Sequence, residues 1–200
     1  MRKIFAVFSM LLVLGLSVVM FIRTKNKMDT SKDNAMNQME KENADRTAYN
    51  ESARELLNKY VEAETKLESL RDMINEVWTN VVSKKSDPKT DRFTKDASGE
   101  FYSDAKTALD LLSKDPDFSA SLKELRALCQ DLSNRVNSLS APKFAVVAET
   151  GLKTCATSFS EYADAVMNTT GTVTMYSSTC YSAKAKFDAA CNMLRMHVGN

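Results

Sequence analysis

The chain is poor in the residues that interrupt helices. It contains five glycines and three prolines among 200 residues, and neither occurs between Ile22 and Asp87. Because glycine and proline mark most turns, so long a run without them favours continuous helix. A chain of this length can build one helical domain with a substantial core in addition to an N-terminal segment.

Histidine is nearly absent, which excludes several kinds of active site. His197 is the only one, so multi-histidine metal sites are excluded and a histidine-based catalytic triad is disfavoured. Cys191, Met193 and Met196 precede it and are soft ligands of the kind that hold copper(I), but a helix places only some of them on one face. Glycine-rich phosphate loops and nucleophile elbows are also missing from the sequence. We therefore predict no catalytic residue, no cofactor and no metal site.

Acidic side chains are missing from the first 27 residues, which hold five of the 27 basic ones. The rest of the chain is mildly acidic, with 22 basic against 26 acidic side chains. Nucleic-acid binding needs basic charge clustered on one face, so this balance argues against it. The N-terminal basic residues instead flank an apolar run, where phospholipid head groups would lie: Arg2, Lys3, Arg23, Lys25 and Lys27.

Residues 4–22 form an apolar run that only Ser9, Gly15 and Ser17 interrupt. As a helix it would be roughly 28 Å long at about 1.5 Å per residue, close to the hydrocarbon thickness of about 30 Å. We interpret residues 1–27 as an uncleaved signal anchor that contains one transmembrane helix. A cleaved signal peptide is the alternative, but a cut after Ser17 would leave the apolar sequence VVMFI at the new N-terminus.

The charge pattern leaves the orientation of this anchor open. The positive-inside rule, applied to the basic residues after the span, favours a cytoplasmic body. A short basic tail before an apolar run is, however, the general form of an export signal. We predict a single-pass protein of the cell membrane with its body on the extracytoplasmic side.

The segment after the anchor has the heptad pattern of a bundle helix. Apolar residues recur at alternating steps of three and four, which predicts a helix from near Asp33 to about Lys84. These positions are Ala53, Leu56, Tyr60, Ala63, Leu67, Leu70, Ile74, Val77 and Val81. Four more apolar residues widen the stripe, so we expect a broad buried face that includes both Tyr60 and Trp78. The four are Leu57, Val61, Met73 and Trp78.

Further helices are predicted between loops that proline and glycine residues mark. The polar stretch at residues 85–100 predicts a solvated loop, because it contains Pro88 and Gly99 and does not fit a calcium-binding pattern. Asp115 suits an N-cap and Pro116 the first helical position, and Pro142 is predicted to start the following helix. The later seams are Phe118, Leu122, Leu125, Cys129, Leu132, Val136 and Leu139, then Phe144, Ala148, Cys155, Phe159, Tyr162 and Val166, then Tyr176, Cys180, Ala183, Phe187, Ala190 and Leu194.

Together these patterns predict an all-α fold. It comprises an N-terminal transmembrane helix, a long stem helix and an antiparallel up-down bundle of four to five helices, because helices joined by short turns pack antiparallel. We expect a signal anchor at residues 1–27, a polar stalk at residues 28–50 and the helical bundle at residues 51–200.

Position along the predicted hairpin suggests which cysteines pair. Cys129 lies 13 residues before Pro142 and Cys155 lies 13 after it, so a turn there places both at the same height. We predict a disulfide between Cys129 and Cys155 in an oxidising compartment. The alternative is that the thiols stay free and fill the seams as small apolar side chains. Cys191 would come near the same layer, and Cys180 would lie in a different one.

The layout resembles that of membrane-tethered extracytoplasmic helical-bundle proteins of Gram-positive bacteria. The resemblance covers about residue 56 to the C-terminus and rests on Trp78 and on the sequences FYSDAKTAL, SAPKF and NTTGTVTMYSS. It implies the bundle fold and an envelope location. The group has no established activity, so the resemblance implies no catalytic residue.

The sequence favours a non-enzymatic module that presents a binding or scaffolding surface at the cell envelope. The predicted seams contain almost no Asp or Glu, so a buried carboxylate pair for acid–base catalysis is not expected. An extracytoplasmic ligand-sensing bundle that acts through a separate signalling partner is one alternative, and a cytoplasm-facing membrane scaffold is another. The expected partners are the membrane, through residues 4–22, and a protein or a second copy of the chain.

Labelling of the cysteines in intact cells with a membrane-impermeant thiol reagent tests the predicted orientation. We expect a full-length, membrane-bound chain whose thiols are labelled from outside after reduction under denaturing conditions, because an oxidising compartment favours the disulfide. A blot of the same samples reports whether the N-terminus is retained. Thiols that are already reduced and react only after lysis would place the body in the cytoplasm.

Overall fold

The computed structural model describes the backbone of residues 2–143 and 145–199, and the side chains of residues 23, 25, 27, 31–143 and 145–199. Six helices follow one another in this part of the chain: α1 (Arg2–Ser83), α2 (Asp91–Thr94), α3 (Ala105–Lys114), α4 (Pro116–Ser138), α5 (Val146–Met167) and α6 (Val173–Val198). An isolated antiparallel bridge between Lys95 and Phe101 is the only β pairing among these residues. The predicted all-α class is confirmed.

The chain divides into two compact units, Met1–Thr47 and Ala48–Asn200. In the first unit, the side chains of residues 31–47 are exposed apart from the half-buried Glu42. The predicted helix start at Asp33 is wrong, because α1 continues through this polar stretch. No glycine or proline interrupts its backbone hydrogen bonds there.

The predicted transmembrane segment, residues 4–22, lies outside the part of the chain whose side chains are described. Within the described part, no helix has a stretch both long enough and apolar enough to cross a membrane.

The predicted seam of α1 is confirmed in the second unit. All nine seam positions from Ala53 to Val81 are buried, and Leu57 and Trp78 widen the buried face as expected. Val61 and Met73 lie at its margin and are half-buried. This broad stripe lets α1 contact several helices at once.

Helix α1 runs antiparallel to α6. The guanidinium of Arg54 donates a hydrogen bond to the carbonyl of Val198, with a distance of 2.8 Å between Nη2 and the oxygen. Farther along α1, Asn75 accepts a hydrogen bond from the hydroxyl of Ser177, again at 2.8 Å. Arg54 thus satisfies one of the carbonyls that the C-terminus of α6 leaves without an intrahelical partner.

Helix α4 lies antiparallel to α5, so that α1, α4, α5 and α6 form an up-down bundle. Phe118, near the start of α4, shares one pocket with Val166, near the end of α5. Val136, near the end of α4, shares another pocket with Lys153, near the start of α5. The predicted helical bundle is confirmed, and α3 is a short helix before α4.

Three aromatic rings, one each from α1, α5 and α6, meet in the core. The ring centroids of Tyr60 and Phe159 are 5.2 Å apart, as are those of Phe159 and Phe187. The ring centroids of Trp78 and Tyr176 are 5.6 Å apart. Such pairs contribute about 0.5–1.5 kcal/mol each beyond the burial of their surface. The prediction that Tyr60 and Trp78 belong to the core is confirmed.

Side-chain caps set the starts of three helices. The carboxylates of Asp104 and Asp115 accept hydrogen bonds from the backbone N–H groups of Thr107 and Phe118, and Thr172 caps α6. The predicted cap at Asp115 and the predicted role of Pro116 are confirmed.

Pro142 does not start α5, which begins at Val146. Instead, the carbonyl of Pro142 accepts a hydrogen bond from the backbone N–H of Ala145 at 2.8 Å and closes a turn ahead of the helix. No side chain caps α5 at Ala145. The predicted seam residue Phe144 lies outside the described residues.

The polar stretch at residues 85–100 is more ordered than the predicted loop. It contains the short helix α2, and it buries Thr90 and Thr94. The amide of Asn80 donates a hydrogen bond to the Thr90 hydroxyl at 2.9 Å. Hydrogen bonds from the hydroxyl of Ser86 and the backbone N–H of Asp87 hold the pKa of Asp91 below its ordinary value, so this carboxylate stays charged and organises the turn.

Replacing a seam residue of α1 tests the core. We expect Leu67→Ala to lower the free energy of unfolding by about 2–5 kcal/mol, because Leu67 is fully buried and its loss leaves a cavity. Val82→Ala is the control, since Val82 is 61% exposed on the same helix and should change stability by less than about 0.5 kcal/mol. Urea unfolding of the full-length protein in detergent measures both, and equal losses would contradict this core.

Candidate functional site

Helix α4 is the least firmly packed long helix of the bundle. It buries three side chains, whereas the similarly long α5 buries seven and α6 eight. Of its predicted seam, Leu125, Leu132 and Val136 are buried, and the other four positions are only partly covered. The predicted seam is therefore right about which face of α4 turns inward, but that face is incompletely filled.

A cleft opens where this face meets α1 and α5, and we call it the α4 cleft. Its volume is about 460 Å³. Pockets for small molecules commonly measure about 300–1,000 Å³, so the α4 cleft is large enough for one. Its apolar wall consists of Tyr60, Cys129, Val136, Ala156 and Phe159.

The other lining residues of the α4 cleft are polar: Ser133, Asn137, Lys153, Thr157 and Ser160. Lys153 is the only cationic side chain among them, and its Nζ lies 2.6 Å from Oε1 of Glu149. A few polar groups around an apolar wall are typical of sites that orient a small amphipathic ligand.

The ionisable groups in the apolar wall are held in their neutral forms. Burial raises the pKa of the Tyr60 phenol well above its ordinary value of 10.0, and the neighbouring Cys155 adds to the effect. Burial, followed by the charge of Asp164, also raises the pKa of the Cys129 thiol. A neutral phenol and a neutral thiol are poor nucleophiles and poor bases.

A second, smaller pocket lies under the start of α4. Its volume is about 110 Å³, and Phe118, Leu122 and Val166 are among its mostly apolar lining residues. The two pockets follow the inner face of α4, which explains why so much of its seam is only half-buried.

A network of ion pairs joins the other side of α1 to α6. Lys184 forms salt bridges with Glu64 and Glu68 of α1 and, at 3.3 Å, with Asp188 of its own helix. Burial by itself would lower the pKa of Lys184, but the hydrogen bond and charge of Glu64, supported by Asp188, outweigh it and raise the pKa above its ordinary value of 10.5. This network links α1 to α6 through a single lysine that pairs with two carboxylates of α1.

The four cysteines are free thiols in this structure, and the disulfide between Cys129 and Cys155 stays a prediction. Cys129 is half-buried in the wall of the α4 cleft. Cys155 faces α6, where its Sγ lies 3.3 Å from Sγ of Cys191. Cys180 is buried farther along, and its Sγ lies 3.5 Å from the carbonyl oxygen of Ala165. Because Cys129 is partly exposed, it is the thiol that a labelling reagent reaches first.

The soft residues near the C-terminus do not converge on one point. Cys191 is buried, whereas Met193, Met196 and His197 are exposed on the outer face of α6. Among the described residues, no group of three or more His, Cys, Asp or Glu side chains is placed to hold a metal ion.

The α4 cleft was not anticipated from the sequence. Heptad spacing marks which residues face inward, but it does not show how far apart the helices stand. The one available signal was that the polar residues Ser133, Asn137 and Ser160 lie beside seam positions. That signal is weak, because such residues also occupy ordinary helix surfaces.

Neither protein-family models, curated proteins nor solved structures show a match to this chain. The resemblance to membrane-tethered helical-bundle proteins therefore stays a prediction.

Two lysines of α6 provide a matched test of the ion-pair network. We expect Lys184→Met to lower the free energy of unfolding by about 1–2 kcal/mol, because it leaves the largely buried Glu64 without its partner. Lys186→Met should have little effect, since Lys186 and Glu161 form a long, exposed pair at 3.9 Å.

The pH dependence of the stability that Lys184→Met removes gives a second test of the ion-pair network. Because the folded-state pKa of Lys184 is raised, its charged form stabilises the body below pH 10.5, and this stabilisation is lost as the pH rises further. The difference in the free energy of unfolding between the wild type and Lys184→Met should therefore be constant near neutral pH and become smaller above pH 10.5. Denaturant unfolding at several pH values measures it, and a gap that grows with pH would contradict the assignment.

Proposed function

We propose that this chain is a non-enzymatic binding module, anchored in the cell membrane by residues 4–22, with its helical body on the extracytoplasmic side. The observation that carries the proposal is the α4 cleft, an open space of about 460 Å³ where α4 meets α1 and α5. A cleft of this size with an apolar wall and polar groups at its edge is large enough to hold a small molecule, which favours a role in binding.

The lining of the α4 cleft favours a small guest with an apolar body and one polar or anionic end. Tyr60, Val136 and Phe159 would contact the apolar part. Lys153 and the hydroxyl and amide groups around it would orient the polar end. The absence of an ionised nucleophile or base in this wall supports binding without turnover.

The membrane anchor rests on the sequence. Residues 4–22 are long and apolar enough to cross a bilayer, and basic residues flank them on both sides. The resemblance of this segment to an export signal supports the extracytoplasmic orientation. A cytoplasm-facing membrane scaffold is the opposite orientation of the same module.

A ligand-sensing bundle is a second candidate, which the weak packing of α4 favours. A guest that fills the α4 cleft would add contacts to α4 that the empty bundle lacks, and so would shift or steady this helix relative to α1 and α5. An output would then require a separate signalling partner that contacts α4.

Cys129 is a built-in reporter for the occupancy of the cleft. We expect decanoate, used as an amphipathic probe, to slow alkylation of Cys129 by a maleimide several-fold, because a bound chain covers the thiol. Mass spectrometry of the full-length protein measures the rate at Cys129 separately from the three buried cysteines.

Two tryptophan substitutions make this test specific. Ala156→Trp fills the α4 cleft and should abolish the effect of decanoate. Ala127→Trp, on the exposed face of α4, adds the same ring outside the cleft and should preserve the effect. Protection that is equal in both variants, or missing in the wild type, would argue against binding in the cleft.

A further inference from the structure

Helices α5 and α6 approach each other closely at one level of the body. Gly151 lies one turn before Cys155 on α5, and Leu194 lies one turn after Cys191 on α6. A side-chain Cβ added at position 151 would stand 3.3 Å from Cδ1 of Leu194 and only 3.6 Å from its Cα. The missing side chain of Gly151 therefore lets the two backbones come together beside the cysteines.

Cys155 and Cys191 face each other across this contact. Their Sγ atoms are 3.3 Å apart, and both side chains are almost entirely buried. A disulfide needs Cα atoms about 4.4–6.8 Å apart and Cβ atoms that point towards each other. Helix axes commonly lie about 8–10 Å apart, so few positions of a bundle meet this requirement unless a small residue allows a closer approach. Gly151 provides that closer approach, and the two sulfur atoms already point at one another.

We propose that Cys155 and Cys191 form a disulfide that joins α5 to α6 when the body folds in an oxidising compartment. The oxidant is a small-molecule disulfide such as oxidised glutathione. One cysteine thiolate attacks the oxidant and releases one thiol, and the second cysteine thiolate then displaces the other. Two S–H bonds are lost and one S–S bond forms, while the oxidant is reduced to two thiols that take up the two protons.

The bond forms before the two helices are fully packed. In the folded body, the hydrogen bond to Cys191 and the burial of the side chain raise the pKa of Cys155 far above its ordinary value of 9.0. The thiol is then protonated and shielded, and thiol–disulfide exchange requires an accessible thiolate. Exchange is therefore fast in the unfolded or partly open chain and slow once α5 and α6 have closed.

The proposed link leaves the α4 cleft unchanged. It joins α5 to α6, and neither cysteine lines the cleft. Cys129 stays a free thiol in the cleft wall, and Cys180 stays buried against Ala165. The proposal therefore does not depend on what the cleft binds.

Refolding of the full-length protein tests the pairing. The chain is unfolded and reduced in denaturant, then refolded into detergent in a buffer of reduced and oxidised glutathione. Free thiols are alkylated, and peptides are mapped by mass spectrometry. We expect one cross-linked peptide joining Cys155 to Cys191, with Cys129 and Cys180 alkylated. A Cys129–Cys155 link, any other pairing, or four free thiols would overturn the proposal.

Two alanine variants show whether the disulfide contributes to the thermal stability of the folded body. Adding reductant during refolding should lower the Tm of the wild type and of Cys129→Ala, because both can form the link. The Tm of Cys155→Ala should be the same with and without reductant, since this variant lacks one partner while keeping a small apolar side chain. A reductant effect on Cys155→Ala equal to that on the wild type would also overturn the proposal.

Discussion

The packing of the broad seam of α1 against α5 and α6 is the constraint on which the rest of the body depends. Tyr60, Phe159 and Phe187 bring one ring from each helix into mutual contact, and Trp78 of α1 packs against Tyr176 of α6 farther along. Burial of apolar surface dominates the stability of such a core, and aromatic side chains bury the most surface per residue. Three helices are thereby held together, and the ion pairs of Lys184 with Glu64 and Glu68 add a further link between α1 and α6.

Helix α4 packs on the outside of this three-helix core, against α1 and α5. With three buried side chains, it closes the bundle without filling the space beneath it. A helix held by few apolar contacts can move at a lower free-energy cost than one held by many. The α4 cleft and the comparative freedom of α4 therefore have the same origin, and together they connect the fold to the proposed binding role.

The cysteines show that the position of a residue along its helix does not determine which neighbouring helix its side chain faces. The predicted turn at Pro142 places Cys129 and Cys155 at the same level along the bundle axis, with Cys191 near that level. This prediction uses only the rise per residue, which fixes the distance of a residue from the turn along its helix. Which of these thiols face each other depends on the rotation of each helix and on the spacing between helices. Cys155 turns towards α6, where Gly151 permits a close approach, and Cys129 turns towards an open cleft.

The sequence by itself determined the presence of the long helices, most of their inward-facing residues and some of their ends. The heptad steps identified all nine buried seam residues of α1, and Asp115 with Pro116 identified the start of α4, because periodicity and capping are local properties of the chain. The predicted start of α5 at Pro142 was wrong, because a proline fits a turn as well as a first helical position. The cleft, the Lys184 network and the Cys155–Cys191 contact were decided only by the tertiary structure. Each depends on the distance and rotation between helices remote in sequence, and these follow from the packing of all the side chains together.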